Sequence, residues 1–213
     1  MSSAIVVTGT DTDVGKTVFC AGLTRLLEGT YWKPVQAGLA DETDAETVRR
    51  LAELPPDRVL AEAWALHTPA SPHLAAEIDG VEIDPDALVL PPSERTLVVE
   101  GAGGLMVPLT RRMLLIDVIA RWCAPVVLCA RTRLGTINHT LLSIEALRRR
   151  SIPLLGVAFV GEAHAENERI IGSLGKVPVL GRLPQLDPLT PAALAAAFTQ
   201  AFERESFSQR SLT

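Results

Sequence analysis

The chain of 213 residues lacks several features that would direct it to particular compartments. Its three cysteines, Cys20, Cys123 and Cys129, are too few and too irregularly spaced for a disulfide framework or a metal motif. We expect all three to be reduced core residues. No apolar run is long enough to span a bilayer, and the N-terminus lacks the basic region and long apolar segment of a signal peptide. A cytoplasmic protein with no membrane partner is predicted.

The sequence also lacks an excess of positive charge. Its 20 Lys and Arg residues face 25 Asp and Glu residues, which gives a formal net charge of −5. A nucleic-acid-binding surface needs the opposite balance, so no nucleic-acid partner is expected. The length and the hydrophobic content of 47% fit one domain over residues 1–213 with a substantial core. Residues 206–213 carry no core pattern and are predicted to form a mobile tail.

The most informative motif follows the apolar run at residues 4–7. It reads Gly9-Thr10-Asp11-Thr12-Asp13-Val14-Gly15-Lys16-Thr17 and precedes an apolar pattern of helical period. A strand, a glycine-containing loop and a helix start form a cradle in which backbone N–H groups and the lysine bind phosphate. The threonine hydroxyl would face Mg²⁺. A chance glycine turn is the alternative interpretation, but the flanking strand and helix patterns favour a nucleotide site.

Two details of this loop are unusual. Gly9 lies one residue earlier than the first glycine of the common spacing, and Asp11 stands where partition-type ATPases carry an extra lysine. Asp11 and Asp13 place negative charge beside the phosphates. That negative charge must therefore be compensated by a metal ion, by solvent or by a cationic part of a second substrate.

Strand and helix patterns alternate along the chain. Runs typical of buried strands occur at residues 4–8, 30–35, 96–100, 125–130, 154–160 and 177–180. Helical patterns occur at residues 15–27, 43–54, 72–78, 115–123, 136–150, 165–174 and 191 to about 205, with a short helix after residue 84. We predict an α/β fold, a P-loop NTPase-type three-layer sandwich whose mostly parallel sheet has helices on both faces. Ligands bind at the carboxyl ends of such strands.

Three ionisable side chains lie at or near these strand ends. Lys33 lies at the end of the second predicted strand, Glu100 ends the third, and Asp44 lies between them. A buried lysine needs a negative partner; the alternative is a lysine that reaches the surface. Glu100 stands where phosphate-loop enzymes hold a metal-binding acid, although a solvated strand end is also consistent, as is a plain helix-start role for Asp44. With Thr17, the two acids supply oxygen ligands that suit Mg²⁺.

A second glycine-led helix start occurs at residues 135–138. Its free backbone N–H groups suit a carboxylate, and a simple capped helix is the alternative. His73 and His139 are expected to be hydrogen-bonded structural residues.

Together these motifs resemble the dethiobiotin synthetase family in order and kind. The match includes the phosphate loop, Lys33-Pro34-Val35-Gln36-Ala37-Gly38, Asp44, residues 69–76, Glu100-Gly101-Ala102-Gly103-Gly104 and residues 134–139. The resemblance implies an ATP- and Mg²⁺-dependent ligase that makes dethiobiotin from 7,8-diaminononanoate and CO2 in biotin biosynthesis, through a carbamate and a carbamic–phosphoric anhydride. It also implies a homodimer whose substrate site is completed across the interface.

The resemblance implies a role for each matched position. Lys33 and Lys16 are implied as catalytic residues, and Thr17, Asp44 and Glu100 as metal ligands. The implied nucleotide-binding residues are Thr12, Asp13, Val14, Gly15, Lys16, Thr17, Val18, Asp44, Glu100, Gly101, Ala102, Gly103, Val160, Gly161, Pro184, Gln185 and Leu186. The implied substrate-binding residues are Lys33, Ala37, Gly135, Thr136, Ile137 and Asn138.

Two departures from the family pattern affect recognition. Ala37 stands where Ser or Thr is common, which removes one hydroxyl contact to the substrate. Val160 and Gly161 stand where an Asn often reads the adenine, so base recognition is expected to be relaxed or left to the backbone near residues 184–186.

Two other functions remain as alternatives. One is a related P-loop amidoligase, although the chain has no room for the glutaminase domain that such enzymes usually carry. The other is a nucleotide-dependent switch or partition-type ATPase, although the guanine-reading motif and the extra loop lysine are absent.

Overall fold

The structure, a computed structural model, describes residues 3–208. The strands are β1 (Ala4–Gly9), β2 (Thr30–Trp32), β3 (Val35–Ala37), β4 (Val59–Leu60), β5 (Trp64–Leu66), β6 (Leu97–Gly104), β7 (Val126–Arg131), β8 (Leu154–Val160) and β9 (Val179–Leu183). The α-helices are α1 (Lys16–Leu26), α2 (Asp44–Ala52), α3 (Pro72–Asp79), α4 (Leu115–Trp122), α5 (Thr136–Arg149), α6 (Ala165–Gly175) and α7 (Pro191–Ala201). Short 3-10 turns lie at Pro56–Arg58, Pro85–Ala87 and Arg204–Phe207.

Seven strands form one parallel sheet in the order β4-β2-β6-β1-β7-β8-β9. One face of the sheet packs against α1, α2 and α7, and the other against α4, α5 and α6, while α3 lies against β3 and β5. The predicted three-layer α/β sandwich is therefore confirmed. None of the helices within residues 3–208 combines the length and the apolar character that a membrane crossing requires.

The second predicted strand, at residues 30–35, is divided in the structure. β2 ends at Trp32, and β3 pairs instead with β5 in a separate two-stranded parallel sheet. Pro34 explains the division, because proline has no N–H to donate to the ladder of the large sheet. The Pro34 carbonyl accepts a hydrogen bond from the N–H of Ala63 at 2.9 Å. The division leaves Lys33 directly at the carboxyl end of β2.

Other differences lie at element ends. β6 continues past its predicted end at residue 100 because its last residue, Gly104, pairs with Gly9 of β1. The last strand occupies Val179–Leu183, later than the predicted 177–180. The alanine-rich helix ends at Ala201, earlier than predicted. The very short strands β4 and β5 were not predicted, because two or three residues carry no readable periodicity.

The prediction of a mobile tail is wrong for residues 206–208. Phe207 ends a 3-10 turn and is only 5% exposed. Its ring lies 6.3 Å from that of Phe19 and 6.2 Å from that of Phe202, measured between centroids. A single aromatic residue among polar neighbours gives no pattern from which this packing could be predicted. Residues 209–213 lie outside the described residues, so the prediction is untested there.

All three cysteines are free, but only two are core residues. Cys20 and Cys129 are buried, and burial raises the pKa of both thiols. Cys123 is exposed, contrary to expectation. It follows the last residue of α4 with a φ of 51°, so the chain has already left the apolar face of the helix at this position.

Candidate active site

The loop between β1 and α1 is built around Gly15. This residue precedes α1 in the left-handed conformation, with a φ of 90°. A Cβ there would lie 2.7 Å from Val160 Cγ1, so the loop passes close to the end of β8. The first N–H groups of a helix have no partner within the helix. The loop therefore presents backbone donors and the positive end of α1 to an anion.

Two cations flank this loop. Lys16 is 6% exposed, its Nζ donates to the Asp11 carbonyl at 3.0 Å, and burial lowers its pKa. Arg131, at the end of β7, donates to the Thr12 carbonyl and lies 3.4 Å from the Asp11 carboxylate. Arg131 thus offsets the charge of Asp11, while Asp13 is exposed to solvent. Arg131 was not predicted, although its position at a strand end on this edge was a usable signal.

Four predicted residues from four segments meet beside the loop. Thr17 Oγ1 lies 2.8 Å from both Asp44 Oδ1 and Glu100 Oε1. Lys33 Nζ donates to Asp44 Oδ2 and lies 3.2 Å from Glu100 Oε1. Lys33 is 5% exposed and Glu100 is 1% exposed, which excludes both the surface lysine and the solvated strand end.

Burial and charge act in opposite directions in this cluster. Burial alone would lower the pKa of Lys33, but Glu100 and Asp44 outweigh it and raise that pKa above its ordinary value. Burial would likewise raise the pKa of Asp44, but Lys33 outweighs it and lowers that pKa. The lysine and the aspartate are therefore both charged at neutral pH.

Strand register explains why Lys33 and Glu100 meet. Tyr31 of β2 pairs with Val98 of β6 in a parallel ladder. Lys33 and Glu100 each follow two residues later, and side chains two residues apart share one face of a sheet. Neighbouring parallel strands thus place the two side chains together at their carboxyl ends.

A capping box at the start of α2 positions Asp44. The Thr43 hydroxyl accepts from the Glu46 N–H at 3.3 Å, and the Glu46 carboxylate accepts from the Thr43 N–H at 2.8 Å. Asp44 is the first residue of the helix that this box begins. Asp44 therefore has the helix-start role that was the alternative interpretation, and it also belongs to the charged cluster.

The oxygen atoms of this cluster are the kind that Mg²⁺ prefers. One Thr17 hydroxyl hydrogen cannot serve Asp44 and Glu100 at once, so one carboxylate oxygen faces the hydroxyl oxygen without a proton between them. Within residues 3–208, no three His, Cys, Asp or Glu side chains group closely enough to hold a metal alone. A cation here would need phosphate and water as further ligands, which is typical of Mg²⁺ bound with a nucleotide.

The glycine-rich end of β6 runs beside the phosphate loop. Gly103 has a φ of 65°, and a Cβ at this position would lie 3.3 Å from Thr12 Oγ1. Gly101 and Ala102 belong to the same stretch of β6, directly after Glu100. Gly103 therefore adjoins the phosphate loop, while Gly101 lies beside Val7 and Thr8 of β1.

A cavity of about 690 Å³ opens on the other side of the loop. It is lined by nine residues predicted to bind nucleotide, namely Asp13, Val14, Gly15, Val18, Val160, Gly161, Pro184, Gln185 and Leu186. Residues that were not predicted also line it, among them Arg131, Thr132, Arg133, Glu162, His164 and Leu189. Most of these follow β7, β8 or β9, so the strand-end rule could have found them.

The start of α5 lies at the same edge of the sheet. A small cavity of about 80 Å³ separates Gly135 from Thr10 and Asp11 of the phosphate loop. The Thr136 hydroxyl is buried and already donates to the Arg131 carbonyl.

The other positions predicted to bind substrate differ in their exposure to solvent. Asn138 is exposed, whereas Ile137 is half-buried against the core. Ala37, at the end of β3, is half-buried and offers no hydroxyl.

The two histidines considered in the sequence differ in their surroundings. His73 Nδ1 lies 3.1 Å from Ser71 Oγ, as expected of a structural histidine, whereas His139 is exposed.

Comparisons with solved structures confirm the fold. The septum site-determining protein MinD from Pyrococcus horikoshii OT3, complexed with Mg-ADP, superposes with a TM-score of 0.56 at 13% identity and covers 93% of each chain. A ParA family ATPase from Chlorobium tepidum TLS gives a TM-score of 0.55 at 10% identity, covering 99% of this chain and 94% of that chain. Identities this low show a common architecture only.

Comparisons of sequence are more specific. A family model described as AAA domain matches residues 3–193. The ATP-dependent dethiobiotin synthetase BioD of Rhodopseudomonas palustris (strain BisB5) is 67% identical over 97% of this chain and 98% of its own length. The proteins of the same name from Rhizorhabdus wittichii and Nitrobacter hamburgensis are 62% and 61% identical, covering 98% and 97% of this chain and 100% and 98% of their own. Identity at this level over nearly the whole length shows that the chain belongs to the ATP-dependent dethiobiotin synthetase family.

Proposed function

We propose that this chain is an ATP- and Mg²⁺-dependent ligase that carboxylates 7,8-diaminononanoate with CO2 and closes the ureido ring of dethiobiotin. The observation that carries the proposal is the cluster of Lys33, Asp44, Glu100 and Thr17 beside the phosphate loop. The product would serve biotin biosynthesis. The family relatives support this reaction over the amidoligase and the switch considered as alternatives.

The proposed chemistry explains the residue types. A neutral substrate amine attacks CO2 and loses a proton to give a carbamate. A carbamate oxygen then attacks the γ-phosphorus, ADP leaves, and a carbamic–phosphoric anhydride forms. The second amine attacks the carbamoyl carbon, phosphate leaves, and the attacking nitrogen loses a proton to give the neutral cyclic urea. Two anions must meet in the second step, so the charges of Lys16 and Lys33 offset their repulsion and stabilise the transferring phosphoryl group.

The donor set fits a magnesium ion. Thr17, Asp44 and Glu100 would hold it, and the ion would neutralise charge on the terminal phosphates of ATP. Lys33 already bridges the two acids, so its ammonium is held at this edge in charged form. Lys16 reaches the same edge from the start of α1.

The larger cavity supports a site for the base and sugar of the nucleotide. The Val160 side chain offers it no hydrogen-bonding group. The Gly161 N–H already donates to the Leu183 carbonyl at 3.0 Å, and its carbonyl accepts from Arg182 at 3.0 Å. We propose that base recognition falls to the segment at residues 184–186.

We further propose a homodimer in which the start of α5 completes the partner's substrate site. Leu134, next to Gly135, is fully exposed, and Leu142 on the same helix is 56% exposed. These two leucines offer apolar surface that a second chain would cover. The particle mass from sedimentation equilibrium tests this part of the proposal, and a mass of one chain would contradict it.

The extent and location of the protein also remain proposals. We propose one domain over residues 1–213, which the family match at residues 3–193 supports. We propose a cytoplasmic location, supported by three free thiols, and cell fractionation would test it.

The proposed reaction is tested by incubating the protein with labelled bicarbonate, ATP, Mg²⁺ and the diamine. We expect label in a cyclic urea and one ADP per ring. An amidoligase would instead need an ammonia source, and its product would contain no label from bicarbonate. A switch protein would hydrolyse ATP without incorporating label, and that result would contradict the proposal.

We expect turnover to rise as the pH increases from about 7 to about 9. The substrate amines should resemble that of lysine, with a pKa of about 10.4, and only the neutral amine attacks CO2. Lys33 and Asp44 stay charged over this range, because the pKa of Lys33 is raised and that of Asp44 is lowered. The pairing of Lys33 is lost only as the pH rises through its raised folded pKa, and that of Asp44 only as the pH falls through its lowered one.

Single-turnover rates at a fixed concentration of dissolved CO2 are the appropriate measurement, because the share of CO2 falls as that of neutral amine rises and because product release can hide the chemical step. Melting temperatures at each pH serve as the control for stability. A flat single-turnover profile would contradict the requirement for a neutral amine.

A further inference from the structure

Tyr31 is the one tyrosine of the chain, and its side chain is fully buried. Its hydroxyl donates a hydrogen bond of 2.8 Å to Glu100 Oε2. The other oxygen of this carboxylate, Oε1, lies 2.8 Å from Thr17 Oγ1 and 3.2 Å from Lys33 Nζ. The two oxygens of Glu100 therefore have different surroundings: Oε1 belongs to the charged cluster, and Oε2 bonds to a side chain of the core.

The register of β2 against β6 allows this contact. Tyr31 lies opposite Val98, and Glu100 follows on the same face of the sheet. The Tyr31 ring packs in the apolar cluster formed with α1 and α2, which includes Leu23 and Leu51. A ring held on this face reaches the carboxylate at the strand end, and its buried packing restricts its movement.

The presence of the hydroxyl needs an explanation. A hydroxyl in an apolar core is unfavourable unless it is hydrogen-bonded, and phenylalanine would fill nearly the same volume without that requirement. A carboxylate that is to bind a cation gains from a partner that fixes its orientation, because a freely turning ligand must be ordered at each binding event. The hydroxyl of Tyr31 supplies such a partner to Glu100.

We infer that Tyr31 is a positioning residue, whose hydroxyl holds Glu100 Oε2 against the core so that Oε1 stays directed toward Thr17 and a bound Mg²⁺. The inference rests on the proposed Mg²⁺–ATP function of this site. It does not depend on which second substrate the enzyme uses.

Because the chain has one tyrosine, biosynthetic incorporation of 3-fluorotyrosine labels position 31 alone. We expect one fluorine NMR resonance from the labelled protein. Addition of Mg²⁺ with the non-hydrolysable analogue AMP-PNP should shift this resonance, and AMP-PNP with EDTA should shift it much less. A resonance that is the same with and without Mg²⁺ would overturn the inference.

The variant Tyr31→Phe removes the hydroxyl and keeps the ring. We expect it to weaken Mn²⁺ binding to the enzyme–AMP-PNP complex about 10- to 100-fold, as measured by electron paramagnetic resonance, and to lower kcat with little change in the KM for the diamine. The matched control is Phe198→Leu, in the same apolar cluster but on α7 and in ring contact with Phe19 and Phe202. It should lower the melting temperature and leave Mn²⁺ affinity unchanged.

The outcomes separate the two proposals. Mn²⁺ affinity of Tyr31→Phe within about two-fold of the wild-type value would overturn the positioning role. If the wild-type protein makes no cyclic urea while the two variants still differ in Mn²⁺ affinity, the proposed reaction fails and the positioning role stands. If Tyr31→Phe does not fold, the fluorotyrosine measurement decides.

Discussion

Replacing Lys33 with alanine should lower turnover about 100- to 1,000-fold while ATP affinity changes only a few-fold. The Lys33 ammonium lies at the edge of the phosphate site, held by Asp44 and Glu100. In the proposed reaction its charge is needed most when the carbamate and the γ-phosphate approach each other, so its loss should affect the transition state more than the bound ground state. Steady-state kcat and calorimetric titration with ATP measure the two effects separately.

The same substitution should also destabilise the protein. Glu100 is buried, and without Lys33 its charge would lack its ammonium partner, which is strongly unfavourable. Mg²⁺ should restore part of the lost melting temperature, because it would offset the same carboxylates. The control is Lys176→Ala, an exposed lysine after α6, which should change neither turnover nor the melting temperature. Near-normal turnover in a folded Lys33→Ala protein would refute the catalytic role.

Replacing Gly15 with alanine should weaken nucleotide binding about 100-fold or more. The new Cβ would lie 2.7 Å from Val160 Cγ1, and the φ of 90° is unfavourable for alanine. Strain and overpacking are each worth about 1–3 kcal/mol, and about 2.7 kcal/mol corresponds to a 100-fold change in affinity. The loop can relieve the overlap by moving away from β8, which withdraws its N–H groups from the phosphates. Calorimetric titration with ADP and Mg²⁺ measures the loss.

Two comparisons separate the overlap with Val160 from backbone strain. Gly80 also has a positive φ, of 67°, but a Cβ there meets nothing within 4 Å. Gly80→Ala should therefore lower stability by about 1 kcal/mol and leave nucleotide affinity unchanged. In the double variant Gly15→Ala/Val160→Ala the overlap with Cγ1 disappears, so part of the affinity should return. Wild-type affinity in Gly15→Ala would show that the loop tolerates a side chain.

Much of the architecture was predictable because strands and helices alternate with clear periodicity. The strand ends also indicated Lys33 and Glu100, since a charged residue after an apolar run is a local signal. That these two side chains touch was less accessible, because it depends on β2 lying beside β6. Strand order arises from packing between distant segments, and no local pattern records it.

The residues that were missed share this dependence on distant packing. Arg131 acts on a loop about 120 positions earlier in the chain, and the contact of Tyr31 with Glu100 spans 69 positions. Phe207 packs against Phe19 from the far end of the chain. The roles predicted for individual residues stay predictions, because the geometry brings the side chains together without a bound ligand to report what each one does.

The order of the strands has a consequence for the chain as it leaves the ribosome. β6 lies between β1 and β2, so these first two strands are joined into one sheet only after residues 97–104 have been made. Up to that point the emerging segment can pair only the short strands β2 with β4 and β3 with β5. During this interval Lys33 also lacks Glu100, the more buried of its two acidic partners. Synthesis of the first half must therefore proceed with the apolar strand β1 unpaired, and at this stage a chaperone would have the most apolar backbone to bind.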